Sequence, residues 1–165
     1  MATKLVKDYH KATVSSICVL KIDLMKAFDS VDWKFLLKVM MAMNISLNFI
    51  KLVEACVTTP MLSVAFNGGL CSYFPAGKGL RRGDPLSPYL FTIAMEVFSC
   101  MLARYVSQDC IPYHPRCKGL GITHLCFADD LLVFSNGSIR AVAGIKRLLD
   151  RFYHVSGLKC NMAKC

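Results

Sequence analysis

An α+β fold, with an antiparallel β-sheet packed on one face by helices, is what this 165-residue chain predicts. Three observations carry that expectation. Short apolar runs alternate with stretches of helical periodicity in the order β-α-α-ββ-α-ββ-α-β, which suits helices segregated to one side of an antiparallel sheet. Two pairs of strand-like runs are joined by only a few turn-forming residues. Finally, 55% of the residues are hydrophobic and 19% charged, a composition that builds one sizeable core and excludes general disorder.

The elements follow in order. Residues 1–15 lack clear periodicity and read as a lead-in. "SICVLKID" (Ser16 to Asp23) is a dense apolar run with β-branched members, a buried strand. In "SVDWKFLLKVMMAMN", Val31, Phe35, Leu36, Val39 and Met43 recur at helical spacing. Ser46 suits the N-cap of a second helix that stops near Pro60. Asn67-Gly68-Gly69 then separates two strand-like runs and tolerates positive φ, a hairpin signal. "PAGKGLRRGDPLSP" reads as an ordered loop. It leads into a long helix with Pro88 near its first turn and Leu90, Ala94, Val97, Phe98, Met101, Leu102 and Tyr105 on one broad face.

After the loop "SQDCIPYHPRCKGLG", the run "ITHLCFADDLLVFSNG" gives two strands meeting at Ala128-Asp129-Asp130. Ser138 caps a last helix whose apolar stripe is Val142, Ile145, Leu148, Leu149 and Phe152. "SGLKCNMAKC" closes the chain as a further edge strand.

Charge and cysteine usage narrow the function classes. Twenty Lys and Arg against eleven Asp and Glu leave a net charge of +9, distributed along the chain, which suits a polyanionic partner and nucleic acid before membrane. The nine cysteines include no CxxC pair, so a zinc site is not expected. Most of them, Cys18, Cys100 and Cys126 among them, fall among apolar residues and read as small core residues in a reducing compartment. The polar, basic N-terminal segment has no secretory character. The longest apolar run, "LFTIAMEVFSCMLA", is interrupted by Glu96 and falls short of the roughly 18 residues a bilayer span needs. A soluble intracellular protein with no membrane partner is therefore expected, in nucleus or cytoplasm.

The chemistry-bearing residues are acidic. Two apolar strands end in carboxylates, one at Asp23 and the other at Asp129 and Asp130. If the strands are sheet neighbours, three carboxylates converge at one edge and repel one another. A divalent cation relieves that repulsion, and oxygen-only ligands favour Mg²⁺ or Mn²⁺. Two such ions about 3.5–4 Å apart support in-line phosphoryl displacement. Turn chemistry accounts equally for Asp129-Asp130 taken alone, and a helix cap for Asp23 taken alone.

In order and spacing, "KIDLMKAFDSVDW", "GLRRGDPLSPYLF", "FADDLLVF" and "SGLKCNMAKC" resemble palm motifs A, B, C and D of reverse transcriptases, specifically those of non-LTR (LINE-type) retrotransposons in the form abundant in plant genomes. The resemblance covers the chain from about Ser16 to Cys165. It implies that residues 16–165 are a polymerase palm and residues 1–15 a remnant of the fingers, with most of the fingers and all of the thumb outside this chain. It further implies Asp23 and Asp129 as metal ligands with Asp130 supporting them, and Mg²⁺ (or Mn²⁺) as cofactor. The partners implied are an RNA template, a DNA primer and dNTP, and the nucleus is the implied location.

The nucleotide site implied comprises the backbone amides of Leu24, Met25, Lys26 and Ala27 facing the triphosphate, with Arg82 and Gly83 near the nascent base pair. Phe28 falls where the family places a steric gate against the ribose 2′-hydroxyl. By itself it reads as a core aromatic. Arg82 stands where the family customarily has Gln, which bears on efficiency and fidelity. Lys159 or Lys164 is implied as the acid that protonates pyrophosphate, the two not being distinguished. Three readings follow: an RNA-directed DNA polymerase palm, a catalytically silent remnant that keeps the fold and non-specific nucleic-acid binding, and, with a poorer fit in motifs A and B, a group II intron maturase-like protein.

Overall fold

A computed structural model describes residues 18–161, so the lead-in 1–15 and the motif D residue Lys164 lie outside the described residues. The elements run β1 (Cys18–Asp23), α1 (Ala27–Ser30), α2 (Trp33–Ala42), α3 (Leu47–Thr58), β2 (Met61–Phe66), β3 (Gly69–Pro75), α4 (Ser87–Ser107), a 3-10 turn (Lys118–Leu120), β4 (His124–Phe127), β5 (Asp130–Ser135) and α5 (Ile139–Ser156). The mixed α+β class is the one expected.

Three strands form an antiparallel sheet in the order β1-β5-β4. Side chains alternate across it. Ile22, Leu131 and Val133 face the helices and are buried with Leu36, Phe98, Ile145, Leu148 and Phe152. The rings of Phe98 and Phe152 meet edge to face at 5.4 Å, and full burial of such a side chain contributes about 2–3 kcal/mol. On the opposite face Val19, Leu125, Leu132 and Phe134 form a small second cluster with Cys117 and Ile122 from the connection after α4. One face thus carries the helices, and a loop covers part of the other.

The hairpin β2–β3 is a separate two-stranded sheet. Its turn residues Asn67 and Gly68 both have positive φ, at 47° and 79°, as a two-residue turn that follows strand twist requires.

Two helices begin at the expected caps, Ser46 and Ser138, and a third at Asp32, inside the stretch expected to be helical already. Asp32 accepts the Phe35 N–H at 2.8 Å, Ser46 that of Phe49 at 3.4 Å and Ser138 that of Ala141 at 3.2 Å. The helix predicted from Ser30 to Asn44 is broken at Val31, giving the single turn α1 followed by α2.

Several expected core residues lie elsewhere. Met43 sits past the end of α2 and Val142 on the rim of α5, 49% and 43% exposed, because one-dimensional spacing does not say which edge of a stripe meets a neighbour. Cys100 and Cys126 are exposed and Cys18 half-buried, whereas Cys117 is fully buried; Cys126 shares the helix-facing side with its cross-strand partner Leu131 but lies at the open end of that sheet face. The expected last strand reduces, within the described residues, to an isolated bridge between Leu24 and Cys160. By length and composition α4 is apolar enough to cross a membrane, contrary to the expectation that Glu96 breaks the run. One of its faces nonetheless carries Leu90, Ala94, Phe98 and Leu102 into the core.

Candidate active site

The acids of β1 and β5 meet because these strands are sheet neighbours. Register places Asp23 directly opposite Asp130, an arrangement that sets Cα atoms roughly 4.5–5.5 Å apart. Asp129 occupies the two-residue turn between β4 and β5 next to Ala128, whose φ of 52° is left-handed. Asp23 does not cap a helix, since α1 starts after Lys26 and has no side-chain cap.

Two partners of these acids were not evident in the sequence. The Lys21 ammonium pairs with Asp130 Oδ1 at 3.0 Å. The hydrogen bond and charge of Asp130, with the charges of Asp23 and Asp129 added, hold the Lys21 amine above its ordinary pKa. Asn161 donates from its side chain to Asp23 Oδ2 at 3.2 Å and from its backbone N–H to the Asp23 carbonyl at 2.8 Å. Lys21 was signalled only by the two-residue strand period, which puts it on the same sheet face as Asp23. Asn161, 138 residues from its partner, gave no local signal.

The donor chemistry, carboxylate oxygen throughout, fits a hard divalent cation. The seating of a cation, the Lys21 ammonium, among these acids is in accord with that fit. As the side chains stand, no group of three or more His, Cys, Asp or Glu among the described residues closes into a ligand set.

Beside the acids lies a cavity of about 630 Å³ lined by Lys26, Ala27, Phe28, Arg82, Gly83 and Asp129, among others. That volume falls in the range of small-molecule sites. Phe28 stacks on Phe91 with centroids 4.7 Å apart, so its ring is fixed from behind. Gly83 has φ of 82° and nothing within 4 Å of where a Cβ would stand, which leaves its backbone open to close approach. Arg82 is tied by its guanidinium to Asp29 at 3.0 Å, a contact between exposed groups that links the Gly-Pro loop to α1.

The loop is also clamped by backbone. Leu80 N–H donates to the Phe28 carbonyl at 2.7 Å, Gly79 N–H to the Val31 carbonyl at 2.8 Å, and the Trp33 indole to the Gly79 carbonyl at 2.6 Å. A Cβ on Gly79 would stand 2.7 Å from the Asp29 carbonyl oxygen, so only glycine allows this approach.

The remaining expected site residues are dispersed. Leu24 is buried, and Met25 donates its N–H to the Lys159 carbonyl at 2.8 Å, so that amide is already engaged. Lys159 is exposed and lines a different cavity, with Tyr153, His154 and Cys160.

Acids at the end of an antiparallel sheet, a helical layer behind it and a nucleotide-sized cavity alongside match the polymerase palm that the motif resemblance implies. The family model described as reverse transcriptase (RNA-dependent DNA polymerase) matches residues 2–165, and the chain belongs to that family. It is 28% identical over 147 residues to the retrovirus-related Pol polyprotein from type-1 retrotransposable element R2 of Popillia japonica, covering 89% of this chain and 23% of that protein. It is 29% identical over 154 residues to the corresponding polyprotein from type-2 retrotransposable element R2DM of Drosophila melanogaster, covering 91% of this chain and 13% of that protein. A 149 kDa protein of transposon TX1 from Xenopus laevis is 30% identical over 96 residues, which is 58% of this chain and 7% of that protein. The kinship is thus with non-LTR retrotransposons, and the chain spans about a quarter or less of these relatives. The family works with a divalent metal, nucleic acid and nucleotides.

Proposed function

We propose that residues 16–165 act as the palm of an RNA-directed DNA polymerase, extending a DNA primer on an RNA template with dNTP. The observation that carries the proposal is the opposition of Asp23 and Asp130 across β1 and β5, with Asp129 in the adjoining turn and lining the Phe28 cavity. Asp23 and Asp129 would hold Mg²⁺ (or Mn²⁺), with Asp130 in support. When bound, the metal lowers the pKa of the primer 3′-hydroxyl and offsets charge on the leaving pyrophosphate.

The chain's own residues supply position. The Phe28 ring, backed by Phe91, closes the space a ribose 2′-hydroxyl needs and offers it no hydrogen bond. Gly83 lets backbone approach the nucleotide, and Asn161 holds the Asp23 carboxylate in place. Lys159, which borders a separate cavity in this structure, or Lys164 would donate a proton to pyrophosphate, as the family resemblance implies. A second reading, a folded but silent remnant, is favoured by the Asp29–Arg82 tie, which commits the residue standing at the family's customary Gln position.

The test is extension of a labelled DNA primer on an RNA template with Mg²⁺ and dNTPs, beside Asp129→Asn. The polymerase reading predicts extension by the unaltered chain, weak in isolation, and its loss in the variant. Equal inertness of two folded proteins overturns the polymerase reading and leaves the silent one.

A further inference from the structure

A second cleft, of about 830 Å³, opens where α2, α4 and α5 meet, and it shares no residue with the Phe28–Asp129 cavity. Five permanent cations line it: Lys34 and Lys38 from α2, Arg104 from α4, and Arg147 and Arg151 from α5. Among the described residues none of the five forms an ion pair. The one carboxylate in the lining, Asp32, already accepts the Phe35 N–H as the cap of α2. Such an uncompensated cluster in a concave site concentrates positive potential and attracts anions.

Lys34 and Lys38, and likewise Arg147 and Arg151, are four residues apart, so each helix presents two cations about 6 Å apart along its axis. The lining also includes Phe35 and Tyr105, half-buried rings packed on the core. Guanidinium forks and paired lysines at this spacing suit a run of phosphates. We propose that this cleft binds a single strand of nucleic acid by its phosphodiester backbone, as a second contact separate from the polymerase cavity. The inference rests on the nucleic-acid partner of the reading above and not on its chemistry.

The experiment is fluorescence anisotropy of labelled 20-nucleotide oligo(U) and oligo(dT) with the whole chain, without Mg²⁺ or dNTP, across a salt series. The cleft variant is Lys38→Gln/Arg104→Gln/Arg151→Gln. A charge-matched control is Lys51→Gln/Lys118→Gln/Lys146→Gln, all outside the cleft. Thermal melts verify that each is folded, and Arg151→Gln alone serves if the triple variant is not.

The cleft variant is expected to bind at least tenfold more weakly, with a log–log salt slope shallower by about 2, since each phosphate contact to a single strand contributes about 0.7. The single variant should lose about threefold, and the control less than threefold. Loss of the oligo(U) signal alone assigns the cleft to RNA, and parallel loss of both to either strand type. Equal losses in cleft and control variants overturn the proposal, as does equally effective competition by a polyglutamate of the same length. Primer extension distinguishes the two readings: activity with unchanged binding in the cleft variant removes this proposal only, and inactivity with cleft-dependent binding removes the polymerase reading only.

Discussion

Lys21 sits among acids that a metal ion would otherwise share. Its ammonium bonds Asp130 and feels the charge of Asp23 and Asp129, so on the proposed reading it would compete with a divalent cation for the same carboxylates. Lys21→Gln removes that competitor, and Mn²⁺ titration should register several-fold tighter binding; unchanged or weaker binding would show that the ammonium does not compete. His124 supports a separate expectation. Its ring nitrogens contact Ser99 Oγ at 2.9 Å and Thr123 Oγ1 at 3.0 Å. Burial pushes its pKa down, Glu96 opposing, and burial with the Arg116 charge does the same to His114. The unfolded chain therefore takes up protons near pH 6.5 that the folded chain refuses, and stability is lost as pH falls below that value. Melting temperature should drop between pH 7.5 and 5, and His124→Gln, which removes the titrating ring, should flatten the drop. An unaltered pH profile in the variant would contradict this account of His124.

Turns and caps, where a local rule governs a local shape, are the elements most open to substitution tests. Gly157 ends α5 with φ of 78°, and a Cβ there would stand 2.5 Å from the Ser30 carbonyl oxygen, where α5 docks on the motif A segment. Gly157→Ala should cost more than about 1 kcal/mol in denaturant unfolding. Ser138→Ala, by loss of one cap bond, should cost about 1 kcal/mol. These same local rules made the caps at Ser46 and Ser138 and the Asn67-Gly68 turn legible in the sequence. Strand ends that finish in acid were legible too, since β1 and β5 needed only to be neighbours. What was not legible depended on distant chain. The tie of Asn161 to Asp23, the close approach of Gly79 to Asp29 and the exposure of Cys100 and Cys126 follow from packing between elements far apart in sequence.

Taken whole, the molecule joins a clamped motif A segment to a basic exterior. Asp23 to Asp32 is held by Gly79 and Leu80 on one side and by Ser156, Lys159 and Asn161 on the other, so the carboxylate edge is set by three separate stretches of chain. The net charge of +9 supports association with nucleic acid that weakens steeply with salt. The central claim is that the edge formed by Asp23, Asp129 and Asp130 is a metal-dependent centre. Electron paramagnetic resonance titration with Mn²⁺ alone, without nucleic acid or dNTP, addresses it most directly. Saturable binding by the unaltered chain is predicted, weakened at least tenfold by Asp129→Asn and unchanged by Asp109→Asn, whose carboxylate pairs with Arg140 away from the edge. Mn²⁺ binding that is identical in Asp129→Asn, or that never saturates in the unaltered chain, would contradict it.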